Sequence, residues 1–110
     1  MHFTWIVDKP GPPGIPQFSD ITDTSIKLTW TPPEDDGGTP IINYNIEYRL
    51  KDDVKWKKAN DTTVSDTSFV VKRLKTGNEY VFRVSAENKV GVGPPSANTE
   101  PVCIKAPLGM

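Results

Sequence analysis

The side chains that most often do chemistry in enzymes are few in this sequence and lie far apart. His2 is the only histidine and Cys103 the only cysteine among 110 residues. A Ser-His-Asp or Cys-His arrangement needs a histidine that the fold holds in place, and a residue beside the terminus does not meet that need. A single cysteine with no histidine nearby in sequence does not make a zinc site. The sequence therefore predicts a domain that is not an enzyme and holds no cofactor.

The densest group of carboxylates directly precedes a pair of glycines: Glu34, Asp35, Asp36, Gly37 and Gly38. Carboxylate oxygens are ligands that Ca²⁺ prefers, but the spacing of an EF-hand loop is absent. Glycine reaches positive φ angles at little steric cost. We therefore expect a solvated, turn-forming loop that is a candidate for interaction, and calcium binding as the less favoured alternative.

A second cluster of turn formers lies in residues 86–96, close to the C-terminus. Gly91 and Gly93 are predicted to make a bend beside Lys89, and the following prolines to stop edge pairing. No Lys-Ser/Thr pair follows these glycines, so a phosphate-binding loop is not indicated. We expect this loop to lie at the same end of the fold as residues 34–38. The two loops would then form one exposed surface that meets a neighbouring domain or a filament.

Two further patterns each permit two interpretations. Asn60 begins an Asn-x-Thr triplet, which is a glycosylation acceptor only in the secretory pathway and otherwise arises by chance. The second pattern is a local excess of basic residues, which is either a binding surface for an acidic partner or part of a mixed-sign, solvated surface. Its members are Lys51, Lys55, Lys57, Lys58, Lys72, Arg73 and Lys75.

Composition excludes several classes of partner. The 13 basic and 14 acidic residues give a net charge of −1, whereas nucleic-acid-binding domains usually carry a basic excess. No apolar run approaches the roughly 18 residues of a membrane-spanning helix. One cysteine cannot form an internal disulfide, which favours a reducing compartment. We expect no nucleic-acid or membrane partner and a monomeric isolated domain.

Apolar and polar residues alternate with the period of a β-strand in four segments, and shorter strands are predicted near residues 17–21, 54–59 and 96–104. Gly- and Pro-rich turns separate about seven strands with no helical period, which is typical of an antiparallel β-sandwich. Inward-facing positions include Tyr48, Leu50 and Ala86, whereas Val81 and Ser85 are predicted to face outward. The expected core is Trp30, Tyr44, Ile46, Leu74, Tyr80, Phe82 and Val84.

The length indicates a single domain. We place it at residues 10–105, with the Pro-rich stretch of residues 10–16 as a stiff segment leading into the first strand. Residues 1–9 are interpreted as a linker, the end of a preceding module or an expression scar. Residues 106–110 are interpreted as a C-terminal tail.

These segments resemble a known family. SIKLTWTPPEDDGGTPIINYNIEYR resembles the first half of a fibronectin type III domain, with Trp30 at the position of the family's core tryptophan. TGNEYVFRVSAEN resembles the family's sixth strand, with Tyr80 at its tyrosine-corner position. The PPEDDGG loop and EYVFRVSAENKVGVGPPS resemble the modules of giant muscle proteins. Titin A-band modules are the most similar, and twitchin, projectin, myosin-binding protein C and myomesin are alternatives.

The resemblance implies a seven-stranded antiparallel β-sandwich that works as a structural and protein-binding module. It implies neighbouring immunoglobulin and fibronectin type III modules as partners, together with myosin or other thick-filament proteins. It also implies a cytoplasmic location in the A-band of the sarcomere, and a parent protein in which a kinase domain can lie elsewhere. The alternative is a ligand-binding module of an extracellular adhesion protein or cell-surface receptor.

Overall fold

The computed structural model describes residues 6–106, in which eight strands form two antiparallel sheets. The first sheet has the order β1-β2-β5, and the second has the order β4-β3-β6-β7 with β8 also paired to β6. The predicted all-β sandwich is confirmed. The strands are β1 Gln17–Ser19, β2 Ile26–Thr29, β3 Asn43–Leu50, β4 Lys57–Lys58, β5 Ser68–Val71, β6 Glu79–Glu87, β7 Val92–Pro95 and β8 Val102–Cys103.

The core lies between the sheets and is formed by alternate residues of the strands, as expected for a pleated backbone. Trp30 of the first sheet meets Tyr44 of the second edge-to-face, with ring centroids 5.3 Å apart. Burial raises the pKa of the Tyr44 phenol, because the charged form would lose its hydration. Every residue of the expected core is buried: Trp30, Tyr44, Ile46, Leu74, Tyr80, Phe82 and Val84.

The Tyr80 hydroxyl fixes the turn that precedes β6. It accepts a hydrogen bond of 2.9 Å from the backbone N–H of Lys75, which is the bond that the resemblance to the tyrosine-corner pattern implies. The ring itself is 5% exposed and packs edge-to-face on Tyr48. The aromatic body therefore belongs to the core, while its polar end holds the adjacent loop.

We expect Tyr80→Phe to lower the free energy of unfolding by about 1 kcal/mol, because the Lys75 N–H loses its acceptor. Urea unfolding followed by tryptophan fluorescence measures the change. Tyr48→Phe is the matched control, since the Tyr48 hydroxyl makes no hydrogen bond within residues 6–106. Equal losses in the two variants would contradict a specific role for the Tyr80 hydroxyl.

The last strand differs from its prediction in both position and continuity. Pairing with β6 begins at Val92 in β7 and resumes in β8, so residues 92–95, predicted as loop, are strand. Between these two strands, the hydroxyls of Ser96 and Thr99 accept hydrogen bonds from the N–H groups of Val84 and Phe82. The hydroxyls thus replace main-chain acceptors there, while the N–H groups of Ser96 and Thr99 still donate to the carbonyls of Val84 and Phe82. The prolines do not prevent pairing, because β7 lies at the edge of its sheet, where a missing N–H is tolerated.

Three side chains differ in exposure from what the alternation pattern predicts. Val81 and Ser85 were predicted to point to solvent, but each is only 4% exposed. β6 is an inner strand of its sheet, and side chains of neighbouring strands cover its outer face as well. Leu50 was predicted to point inward but is 41% exposed, because it lies at the end of β3, where the sandwich closes.

Candidate functional site

The two loops predicted to interact meet around a buried asparagine at one end of the sandwich. Asn88 follows β6 and is 2% exposed. Its Nδ2 donates to the carbonyl oxygens of Asp8 (2.7 Å) and Asp36 (2.8 Å). Its Oδ1 accepts from the N–H groups of Val90 (2.9 Å) and Gly91 (3.2 Å). One side chain therefore joins the N-terminal segment, the acidic loop and the loop after β6.

The N-terminal segment, which we define as residues 8–14, lies antiparallel to residues 31–37. Pro10 and Pro13 in it are buried. The main-chain hydrogen bonds begin at Asp8, two positions before the predicted start of the domain. Three main-chain hydrogen bonds join the two stretches: Asp8 N–H to Gly37 O (2.8 Å), Gly11 N–H to Asp35 O (2.8 Å) and Gly14 N–H to Thr31 O (3.1 Å).

The N-terminal segment also changes what the two loops expose. Gly37 and Gly93 are buried, so neither glycine belongs to the exposed surface that was predicted for the two loops. The cause is steric, since the backbone of residues 8–10 occupies the gap between the loops. Gly91 is partly exposed, and the other candidate interaction residues remain exposed: Glu34, Asp35, Asp36, Gly38 and Lys89.

Two glycines are required for different reasons. Gly37 has a φ of 83°, and a Cβ there would overlap the carbonyl oxygen of Asp8. Gly93 has no left-handed φ, but a Cβ there would overlap the carbonyl oxygen of Pro10. A positive φ is therefore not the reason for glycine at position 93, and the close approach of two backbones is.

The acidic loop uses its carboxylates to form turns. Oδ1 of Asp35 accepts from the Gly37 N–H (2.8 Å), and Oδ1 of Asp36 accepts from the Gly38 N–H (2.8 Å). An Asp side chain that accepts a hydrogen bond from the backbone N–H two residues later forms an Asx turn.

No group of three or more His, Cys, Asp or Glu side chains in residues 6–106 is arranged to hold a metal ion. Nor is any helix in that range long and apolar enough to cross a membrane.

Asn60 is a structural residue, and glycosylation of its triplet does not agree with its environment. The side chain is 3% exposed. Its Oδ1 accepts from the Ile46 N–H (2.9 Å), and its Nδ2 donates to the carbonyls of Tyr44 and Thr62 (3.0 Å each). A glycan on Nδ2 would break these bonds and would have no space.

Trp56 carries a contact that strand periodicity did not predict. The guanidinium carbons of Arg83 and Arg49 lie 4.1 and 4.9 Å from its ring centroid. Arg83 also pairs with Glu47 at 2.9 Å. This outward-facing stack covers the β3–β6 part of the sheet, and the geometry is that of a cation–π contact.

Sequence reasoning also missed Asn88, although the Asn-x-x-Gly spacing after a strand is a signal for a turn that an asparagine side chain caps.

The basic residues separate into two groups in the structure. Lys51 pairs with Glu79 at 3.6 Å and lies apart from the others. The remaining six line two adjacent grooves between the edges of the two sheets: Lys55, Lys57, Lys58, Lys72, Arg73 and Lys75.

Comparison with known protein families shows to which family this chain belongs. The family model described as "Fibronectin type III domain" matches residues 11–102. The chain belongs to the fibronectin type III family. The resemblance on which the sequence analysis relied is therefore confirmed, and the fibronectin type III fold accounts for the two sheets, the core tryptophan and the tyrosine corner.

The curated relatives of this fibronectin type III domain are proteins of the muscle sarcomere. Myomesin-2 from Homo sapiens is 37% identical over 111 residues, which cover 98% of this chain and 8% of the relative. Titin from Drosophila melanogaster is 42% identical over 97 residues, covering 88% of this chain and a share of titin that rounds to 0%. Cardiac-type myosin-binding protein C from Gallus gallus is 39% identical, covering 86% of this chain and 7% of the relative. The chain thus spans less than a tenth of these relatives.

Solved structures give the same grouping. A crystal structure of titin domains superposes with a TM-score of 0.85 and 37% identity, covering 90% of this chain and 33% of the other. A titin module from human cardiac muscle superposes with a TM-score of 0.81 and 33% identity, covering 89% of this chain and 95% of that module. These fibronectin type III modules share the fold and a third or more of the sequence.

Proposed function

We propose that this fibronectin type III domain is a non-catalytic structural module of a sarcomeric protein. In this role it holds neighbouring modules at a set spacing and associates with the thick filament in the A-band. The relatives and solved structures that it matches are modules of long muscle proteins, and one includes a kinase with its flanking domains. These similarities support a location in the sarcomere and a place among neighbouring modules.

The observation that carries the proposal is the docking of the N-terminal segment on Asn88 and the acidic loop. Residues 8–14 are bound to the sandwich by main-chain hydrogen bonds and do not hang free as a tether. A preceding module would therefore enter from a fixed direction, which a spacer in a filament requires. A flexible linker would instead leave the angle between modules undefined.

The alternative, an extracellular or receptor module, has less support. Its strongest sequence feature was the Asn60 triplet, and that side chain is buried and fully hydrogen-bonded. Some matched structures do come from other settings, including three domains of chicken CNTN1 at 31% identity. The fold alone therefore does not distinguish a sarcomeric module from an extracellular one, whereas the location of the protein in the cell does.

The test is immunofluorescence on muscle cells, intact and permeabilised, with an antibody raised against this domain. We expect regular stripes that overlap myosin and appear only after permeabilisation. Pre-absorption of the antibody with the purified domain is the control for specificity. Staining of intact cells, or a permeabilised pattern without myosin overlap, would overturn the proposal.

A further inference from the structure

Six basic side chains on or next to the edge strands of the two sheets gather on one side of the sandwich, and we propose that this surface binds a carboxylate-rich segment of another protein. β4 is the edge strand of one sheet and β5 is the edge strand of the other. The surface lies where these edges face each other. We call it the basic edge and define it as Lys55, Lys57, Lys58, Lys72, Arg73 and Lys75.

Two grooves give the basic edge its shape. One, of about 170 Å³, is lined by Lys55, Lys57 and Lys75 together with Arg73. The other, of about 520 Å³, is lined by Lys58 and Lys72, again together with Arg73. Because Arg73 belongs to both walls, the grooves are neighbours, and one extended ligand can follow both.

The cations of the basic edge are not neutralised by the domain itself. Neither of the two salt bridges within residues 6–106 includes any of the six. Two carboxylates line the grooves, Asp53 and Asp61. Asp53 uses Oδ1 to accept from the N–H groups of Val54 and Lys55. A strongly positive strip therefore remains on a domain whose overall charge is −1.

Arg73 gives a second, independent observation. Its φ is 62°, in the left-handed region, where an arginine costs about 1 kcal/mol more than a glycine. Such strain in a folded protein is concentrated at functional positions. The side chain that bears this cost is the one shared by both grooves, which is where a ligand would make the most contacts.

The composition of the grooves favours a protein segment over a polyphosphate. Val70 is 40% exposed and lines the larger groove together with Phe69 and Ala59. An apolar strip between cations matches a peptide that carries glutamates or aspartates around an apolar residue. Lysines on edge strands also discourage pairing between sheets, but that role alone predicts no binding.

This inference deepens the thick-filament part of the proposed function and rests on it only for the identity of the natural partner. The experiment below uses no muscle protein. If the peptide does not bind, the basic edge is not a binding site, but the proposed location of the domain is unaffected. If immunofluorescence shows no stripes that overlap myosin, the proposed location is wrong, but peptide binding is unaffected.

The probe is a fluorescein-labelled synthetic peptide with glutamates on both sides of a central leucine, and its control has glutamine at each glutamate. Fluorescence anisotropy measures affinity, and ¹⁵N NMR shifts of the unmodified domain locate the site. We expect binding of the glutamate peptide only, with shifts concentrated in β4, β5 and residues 72–75. Affinity should fall as salt is raised, because exposed charges are screened.

The decisive variant is Lys72→Glu with Arg73→Glu, which should weaken binding about tenfold or more. Lys9→Glu with Lys89→Glu is the matched control, since it makes the same change in net charge at exposed positions beside Asn88 and Gly91, away from the basic edge. Equal loss in both pairs would overturn the proposal in favour of general charge attraction. No binding, shifts elsewhere, or tighter binding to heparin than to the peptide would also overturn it. Because the shifts are mapped on the unmodified domain, the result does not depend on the variants folding.

Discussion

Gly37→Ala is expected to lower the free energy of unfolding by about 3 kcal/mol, the largest effect of any substitution considered for this domain. Two costs combine at this position. The φ of 83° is unfavourable for any residue with a Cβ, and that Cβ would displace the carbonyl of Asp8. The displaced carbonyl is also the acceptor of the Asn88 side chain. Urea unfolding of the variant and the parent domain measures the sum.

Substitutions at two other glycines measure the backbone cost and the steric cost separately. Gly77 has a φ of 88° with no atom within 4 Å of an added Cβ, so Gly77→Ala should cost only about 1 kcal/mol, from the backbone alone. Gly93 lacks the left-handed φ but lies against Pro10, so Gly93→Ala should cost about 2 kcal/mol, from the close approach alone. A Gly37→Ala loss no greater than that of Gly77→Ala would show that the N-terminal segment does not pack as described.

Asn88→Ala is expected to cost about 2 to 3 kcal/mol, because it leaves buried backbone groups of three segments without partners. The carbonyls of Asp8 and Asp36 would each lose a donor, and the N–H groups of Val90 and Gly91 would lose their acceptor. The loss is local, so amide hydrogen exchange should rise first in the N-terminal segment and only later in β3 and β6.

Asn98→Ala is the matched control for that experiment, since Asn98 is exposed and forms no side-chain hydrogen bond within the described range. We expect it to change stability by less than about 0.5 kcal/mol. Uniform acceleration of exchange across the domain after Asn88→Ala would contradict the role of this residue as a local junction. Unchanged exchange at Gly11 and Gly14 would contradict it as well.

The regular part of the fold was accessible from sequence because one physical signal dominates it. In β3 and β6 every second side chain enters the core, so the alternation of Tyr44 and Ile46, or of Phe82 and Val84, directly records burial. The pattern failed where a side chain is covered by something other than the opposite sheet. Val81 is buried on the outer face, which a period of two residues cannot encode.

The loop end could be predicted only in part. Glycine, proline and aspartate indicated turns at residues 34–38 and in the loop after β6, and both turns exist, although the second ends where β7 begins at Val92. The composition does not show that the N-terminal segment lies between these two loops, although Asp8 is 80 residues away from Asn88 along the chain. That contact involves backbone atoms of Asp8, and backbone atoms leave no residue-specific signal. The alternation pattern also did not show the interruption between β7 and β8, where two hydroxyls replace main-chain acceptors.

Asn60 and Arg73 illustrate how one residue type permits opposite interpretations. As part of a triplet, Asn60 indicated a modified surface, but as a buried amide it satisfies the backbone of β3. Arg73 was one member of a basic cluster, and only its φ of 62° and its place between two grooves distinguish it from the surrounding lysines. Conformation and neighbours, which the residue letters do not contain, decide both cases.

The main-chain character of the bonds to the N-terminal segment has a consequence for how such a domain can be inherited. The sandwich recognises the path of residues 8–14 through N–H and C=O groups and through two buried prolines, and the side chains of Asp8 and Lys9 stay exposed. The selective constraint therefore falls on Gly37, Gly93 and Asn88 and, within the segment itself, on the buried Pro10 and Pro13. Its exposed positions, Asp8, Lys9 and Pro12, can diverge in sequence while the course of the segment is preserved. A gene duplication or exon exchange could thus supply a different upstream neighbour without redesign of the junction.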